Sequence, residues 1–340
     1  MTQTIDLRSD TVTRPSAAMK SVMHDAPVGD DVFGDDPTVN RLQATLAERL
    51  GFEAGLFCAS GTQSNLTALM AHCQRGDEYI VGQEAHTYRY EAGGAAVLGS
   101  IQPQPIANRP DGSLALDDIA AAIKPDDVHF ARSRLLALEN TIGGKVLPLS
   151  YLEEAGKLAK SRGLGYHLDG ARMFNAAVKL GISGAELCRG FDSASVCLSK
   201  GLGAPIGSVL CGSRDLIKEA HRWRKMLGGG MRQAGILAAA GLFALEYNVE
   251  RLAEDHDNAA NLARGLAEIG ELRLEPVQTN IVYVHVPAER CEQLRAHLAQ
   301  RGIIALIGPK TRLVTHLDVS AAQIQQTVAA FKEFFARNAE

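Results

Sequence analysis

Short apolar runs without polar alternation, separated by stretches of helical period, constrain this chain more than any other feature. Ser195-Val-Cys-Leu198 is one such run. A strand with no polar face must be covered on both sides, and helices flanking a parallel sheet do that. The candidate strands are Ala54–Ala59, Glu78–Val81, Val128–Leu138, Gly165–Asp169, Ser193–Leu198 and Ile206–Cys211. The candidate helices are Thr62–Gln74, Leu149–Arg162, Arg214–Arg224 and Met231–Tyr247. The alternation predicts an α/β fold with a mainly parallel sheet.

The pattern changes near residue 248. Asn248–Ile269 reads as one charged amphipathic helix. A strand at Asn280–Val286, a helix at Ala288–Arg301 and strands at Ile303–Ile307 and Arg312–His316 follow. A last helix has Ser320 as its N-cap, and Ile324, Val328, Phe331 and Phe335 fall on one face. We therefore expect a large domain over 1–247, N-terminal segment included, and a smaller α+β domain over 248–340. A chain of 340 residues is long enough for two such cores.

Charge excludes some partners. There are 35 Lys+Arg against 39 Asp+Glu, a net charge of −4, so no basic excess serves a nucleic acid. The one basic stretch, His221–Lys225, suits at most a local phosphate contact. No apolar run approaches the ~20 residues that span a bilayer, and Met1–Asp10 lacks an apolar leader core. The six cysteines form no C-x-x-C pair, so they read as reduced, mostly buried thiols of a cytoplasmic protein rather than zinc ligands.

Open α/β sheets bind ligands at the carboxyl ends of their strands, and three features crowd those positions. Ala59-Ser60-Gly61-Thr62 follows a strand and opens a helix. Its free amides, hydroxyl and positive helix end suit a phosphate, though the same residues make an ordinary capped helix. Tyr166–Arg172 puts Asp169 at the end of an apolar strand, where a carboxylate is costly unless something cationic meets it. His167 shares that face, but no third ligand makes a metal site; Asp169 as a helix cap is the plainer alternative. Ser195–Pro205 ends a third strand in Lys200 and a Gly-rich turn. A partly desolvated lysine amine suits Schiff-base chemistry, whereas a surface lysine in a loop is the other reading.

The combination is more specific than its parts. Pyridoxal 5'-phosphate needs a phosphate cup, a carboxylate for its pyridine nitrogen and a lysine amine for its aldehyde. Thirty-three glycines, against roughly 24 at average usage, let backbone approach such a ring.

The sequence resembles the L-threonine aldolase family of pyridoxal-phosphate enzymes with the aspartate aminotransferase fold, fold type I. The likeness rests on Asp6–Pro15, Val28–Pro37, Gly61–Gln63, Glu91–Gly94, Leu138–Thr141, His167–Arg172, Leu198–Gly203, Gly228–Arg232 and Arg312–His316, from about residue 5 to the C-terminus. It implies reversible cleavage of L-threonine, L-allo-threonine and related β-hydroxy-α-amino acids to glycine and an aldehyde. Another fold type I activity, an aminotransferase or a β-eliminating lyase, is the alternative.

The resemblance also implies roles. Lys200 would condense with the cofactor aldehyde and Asp169 would pair with the ring nitrogen. Gly61, Thr62 and Ser199 would hold the phosphate. Arg172 would lie near the phenolic oxygen or the substrate carboxylate, and Arg312 with Ser9 would bind that carboxylate. His86 would stack on the ring, with His129 near the substrate hydroxyl; either histidine, or a water between them, could take the hydroxyl proton. Lys225 and Arg232 would reach the cofactor phosphate of a neighbouring subunit, which implies a homo-oligomer, usually a homotetramer. No metal site is expected. The acidic segment Asp30–Asp36 reads as a turn ending in Asp36-Pro37, a helix start, with a cation site as the alternative although the spacing is not that of an EF-hand loop.

Overall fold

A computed structural model describes residues 4–336. Met1–Gln3, which belong to the segment read for a leader, lie outside the described residues. In chain order the strands are β1 (Ile5–Asp6), β2 (Ala54–Cys58), β3 (Asp77–Gly82), β4 (Gln102–Ile106), β5 (Arg132–Glu139) and β6 (Gly165–Asp169). Then come β7 (Ser193–Cys197), β8 (Ser208–Gly212), β9 (Arg273–Leu274), β10 (Ile281–His285), β11 (Ile303–Ile304) and β12 (Lys310–Val314).

Seven strands form the main sheet in the order β2-β8-β7-β6-β5-β3-β4. β8 runs antiparallel to both of its neighbours, while the pairs from β7 through β6, β5 and β3 to β4 are all parallel. The central strands are the apolar runs: β3, β7 and β8 are buried along their whole length. β4 was not among the expected strands. Its sequence, Gln-Pro-Gln-Pro-Ile, reads as a breaker, but it sits at the sheet edge, where proline is tolerated.

Several expected boundaries move. The strand expected over Val128–Leu138 begins at Arg132, and Val128–Phe130 are exposed. The helix expected from Met231 starts at Gly235, and the one expected over 248–269 occupies Leu252–Ala267. Asp36 caps the helix Pro37–Leu50, its Oδ1 accepting from the amides of Thr38 and Val39.

Two larger apolar clusters lie on either side of residue 255. One, built on one face of the main sheet, includes Phe57, Ile80, Leu136, Leu168, Val196 and Leu252, while smaller clusters around Tyr79, Val81 and Leu135 and around Leu56 and Leu210 cover the other face. The other joins Ala259, Leu262, Val282, Leu313 and Phe331 with Ile5 and Leu7. The helix Leu252–Ala267 thus enters one core with its first turn and the other with its later turns. The N-terminal strand belongs to the second group, because β1 pairs in parallel with β11. That pairing draws Ser9–Thr11 across the carboxyl ends of the main sheet. The last helix buries the expected face, with Ile324, Phe331 and Phe335 inside and Val328 partly so.

Candidate active site

β5, β6 and β7 end side by side, and each delivers a polar residue to the same place. Register pairs Glu139 with Asp169 across β5 and β6. Lys200 follows two residues after the apolar Leu198, in a turn that Gly203 and Gly207 close with positive φ. At Gly207 a Cβ would lie 2.5 Å from the Phe57 ring, so both conformation and space demand glycine.

These strand ends form one wall of a cavity of about 680 Å³. Ser9 and Thr11 from the N-terminal segment, Tyr283 from β10 and Arg312 from β12 form the opposite wall, with His86, Glu139, Arg172 and Lys200 also facing in. Tyr283 and Arg312 are register partners in the small sheet. The cavity therefore lies between elements of the two cores. A wider cleft of about 880 Å³ along Leu149–Lys160 and Glu186–Asp192 gathers no comparable set of chemical groups.

Asp169 is buried and held by neutral donors. Asn65 Nδ2 gives one hydrogen bond at 2.9 Å and the Ala171 amide another at 3.1 Å. The same Asn65 nitrogen donates to Glu91 at 3.0 Å, and Glu91 in turn meets His86 Nδ1 at 2.9 Å. His86, Glu91 and Asp169 thereby bring one ring nitrogen and two carboxylate oxygens within 4.8 Å of one another. The Glu91 hydrogen bond raises the His86 pKa above its ordinary value. His167 points elsewhere: its Nδ1 meets Ser193 Oγ at 2.8 Å, and burial lowers its pKa to about 3.

Two arginines face the cavity in different states. Arg172 places Nε and Nη2 on the two oxygens of Asp10, at 2.8 and 2.6 Å. That fork outweighs the burial of Asp10 and holds its carboxyl well below the usual carboxylate range. Arg312 has no such partner: its Nε is buried without a hydrogen bond, and burial with the nearby Arg172 charge lowers its pKa.

Gly61 and Thr62 open the helix Gly61–His72 directly past β2, with Ser60 as the cap on Gln63. A Cβ on Gly61 would come within 2.7 Å of Cys197 Sγ. Ser208 Oγ, 3.7 Å from that point, is buried with no hydrogen bond. A helix start without room for a side chain, packed on Cys197 two residues before Ser199 and beside an orphaned hydroxyl, is a cradle for an anion.

The expected residues thus divide. Ser9, His86, Arg172, Lys200 and Arg312 line the cavity, and Asp169, Gly61, Thr62 and Ser199 stand at the neighbouring strand ends. Three do not meet it within this chain. His129 lies on an exposed loop, its ring 80% accessible and bonded to Asp127, because the strand that was to carry it starts three residues later. Lys225 is exposed near the end of the helix Arg214–Met226, and Arg232 pairs with Asp30 at 3.0 Å. The basic stretch is not free either, since Arg224 is buried against Asp31 at 2.7 Å. Asp10, Asn65, Glu91 and Glu139 were missed as site residues, although all but Asn65 fall within the motif stretches. Their signal was a carboxylate or amide where the chain must be buried.

The comparisons with known proteins agree with this geometry. The family model described as beta-eliminating lyase matches residues 6–289. The low-specificity L-threonine aldolase of Escherichia coli K12 is 58% identical over 333 residues, 98% of this chain and 100% of that protein. Low-specificity L-threonine aldolase 1 of Arabidopsis thaliana is 42% identical, covering 97% of this chain and 96% of its own. The solved threonine aldolase of Leishmania major superposes with a TM-score of 0.84 at 22% identity, over 97% of this chain and 99% of that one. The aspartate aminotransferase architecture, fold type I, is therefore the observed fold. The chain belongs to the beta-eliminating lyase family and, within it, to the low-specificity L-threonine aldolase family.

Proposed function

We propose that the protein is a pyridoxal 5'-phosphate-dependent L-threonine aldolase, a carbon-carbon lyase that cleaves L-threonine and L-allo-threonine to glycine and acetaldehyde. One observation carries this reading. Among the described residues Lys200 and Arg312, with no partner for the lysine amine or the buried guanidinium Nε, face one cavity beside an Asp169 that accepts hydrogen bonds from the neutral donors Asn65 and Ala171. The full-length likeness to L-threonine aldolases favours this over an aminotransferase or a β-eliminating lyase.

The residues fit the cofactor. The cradle at Gly61, Thr62 and Ser199, with the orphaned Ser208 hydroxyl, suits its phosphate. Lys200 supplies the amine for its aldehyde, and Asp169 the anion that keeps a proton on its ring nitrogen. Bound there, the group supplies an electron sink for the pair left on the α-carbon when the Cα–Cβ bond breaks.

The chain's own residues choose the bond and move the protons. Arg312, with Ser9 beside it, grips the substrate carboxylate and so fixes which α-carbon bond faces the sink. Arg172, its orientation locked by Asp10, adds a second cation on the same side. His86, held through Glu91 and lining the cavity, would be this chain's own histidine to accept the β-hydroxyl proton. Lys200, whose amine faces the cavity, would be the group of this chain that returns a proton to the α-carbon.

Lys225 and Arg232, exposed and away from their own cavity, suit the cofactor phosphate of a neighbouring copy in a homotetramer. His129 is left to a neighbouring cavity or to none. The division into a cofactor-binding unit over 1–247 and a small unit over 248–340 accords with the two cores, with β1 reaching across. Six buried free cysteines suit the reducing cytoplasm, and no described helix is long and apolar enough to cross a membrane. Product analysis with all four threonine stereoisomers tests the function. Equal glycine and acetaldehyde from the L isomers is the expected result; keto acid or ammonia would assign the aminotransferase or eliminating chemistry instead.

A further inference from the structure

Two carboxyl groups stand opposite each other at the ends of β5 and β6. Glu139 and Asp169 are register partners on parallel strands, so their side chains leave the sheet on one face. Two carboxylates so placed do not both ionise easily, and their surroundings differ. Asp169 accepts two hydrogen bonds, from Asn65 and Ala171. Glu139 accepts one, at Oε2 from the His86 amide at 2.7 Å, and its other oxygen meets no donor among the described residues. Yet Glu139 lines the cavity. Meanwhile Arg172, expected to serve a ligand oxygen, has turned two of its nitrogens to Asp10.

We propose that Glu139 stands in the cavity as a neutral carboxylic acid and donates a hydrogen bond to an oxygen of the bound cofactor or substrate. The inference rests on the cofactor reading above. The charged and titratable groups facing Glu139 are Asp169 from β6, Lys200 after β7, His86 from the short helix His86–Arg89 and Arg172 after β6. Burial and then Asp169 push the Glu139 pKa up, against the weaker pulls of the His86 amide, Lys200 and His86. A raised carboxyl is protonated below its folded pKa and loses its donor role as pH rises through it. An acid kept neutral in this way donates a hydrogen bond that a carboxylate cannot.

Infrared difference spectroscopy of the cofactor-loaded enzyme, without substrate, tests this directly. At roughly pH 6, a protonated-carboxyl stretch is expected that disappears in Glu139→Gln and fades in the wild type as pH rises. Glu139→Gln keeps a neutral donor, so its cofactor absorbance spectrum should lie nearer the wild type than that of Glu139→Ala and it should recover part of the kcat that the Ala variant loses. Glu139→Ala removes the donor and should shift the spectrum and lower kcat by at least about tenfold. A wild type without the band, or a Gln variant as impaired as the Ala variant, overturns the proposal. Failure to bind cofactor at all would show as a colourless protein, and that outcome would sink the functional reading instead.

Discussion

Asp10 and Asp169 are both buried carboxylates beside the same cavity, yet they are met by opposite kinds of partner. Asp10, on the N-terminal wall, has a guanidinium fork built into the fold. Asp169, on the strand-end wall, has an amide side chain and one backbone amide, and a second carboxyl in Glu139 across the register. The first charge is satisfied before any ligand arrives and serves to lock Arg172. Asp169 on the second wall has no ion-pair partner among the described residues, which leaves its carboxyl group to meet a cationic group of a ligand. The contrast separates structural charge from functional charge by what each touches, not by residue type.

The largest expected effect breaks the open wall outright. Lys200→Ala should lose the yellow, borohydride-fixable cofactor and at least about a thousandfold in turnover. Its thermal stability without cofactor should hold near that of the wild type, because the amine makes no hydrogen bond or ion pair among the described residues. Retained turnover would remove Lys200 from the mechanism.

The sharpest test of the contrast is a crossed pair of substitutions. Asp169→Asn keeps the shape and removes the charge. It should cut kcat by about a hundredfold or more while leaving the unfolding midpoint little changed. Asp10→Asn strips Arg172 of its counter-charge and leaves a buried cation, which should cost about 3–5 kcal/mol of stability. Urea unfolding and steady-state rates on both variants read the two axes. If both variants lose the same property, the division between structural and functional acid is wrong.

Acid separates the walls again, with a smaller effect. His72 and His167 share Ser193 Oγ at 2.7 and 2.8 Å. Burial lowers their pKa values to about 4 and about 3. Both are neutral in the folded state, while the unfolded chain protonates them near pH 6.5. Their contribution is therefore complete above the unfolded value and falls as pH drops toward the folded ones, by about 1.4 kcal/mol per pH unit for each. Asp10, with its folded pKa lowered by Arg172, also loses stabilisation as pH falls, but only in much stronger acid. Urea midpoints between roughly pH 7 and 5 should drop as these two histidines and His256, which burial likewise lowers to about 4, charge in the unfolded chain, while the raised Glu139 carboxyl offsets part of the fall. An equally steep fall in His167→Asn would mean that His167 charges without cost.

What was legible in the sequence was whatever a local pattern encodes. β6 and β7 are apolar runs with a polar stop, so Asp169 and Lys200 could be placed at strand ends. β8, though expected as a strand, is antiparallel, a direction that pairing sets and periodicity does not record. β4 hid behind two prolines that only an edge position permits. Glu139 lay inside a motif stretch without a role, because its meaning comes from Asp169 thirty residues away across the register. The link of Ile5 and Leu7 to the second core could not be read from one end of the chain either.

The two histidines carry the smallest difference and the one that reaches beyond a single chain. Both hold a carboxylate with Nδ1: His86 meets Glu91 at 2.9 Å and His129 meets Asp127 at 2.6 Å. They differ in surroundings. Glu91 is buried and fixed by Asn65, which aims the His86 ring at the cavity. Asp127 is on the same exposed loop as its partner, so nothing aims His129 at all. His86→Asn should lower kcat by about a hundredfold if it handles the hydroxyl proton. His129→Ala should stay within about twofold, as surface substitutions do. A loss at His129 comparable to that at His86 would mean that the loop enters a neighbouring copy's cavity. Mixing a His129→Ala chain with a Lys200→Ala chain would then restore activity only in cavities that combine an intact lysine with the other copy's histidine.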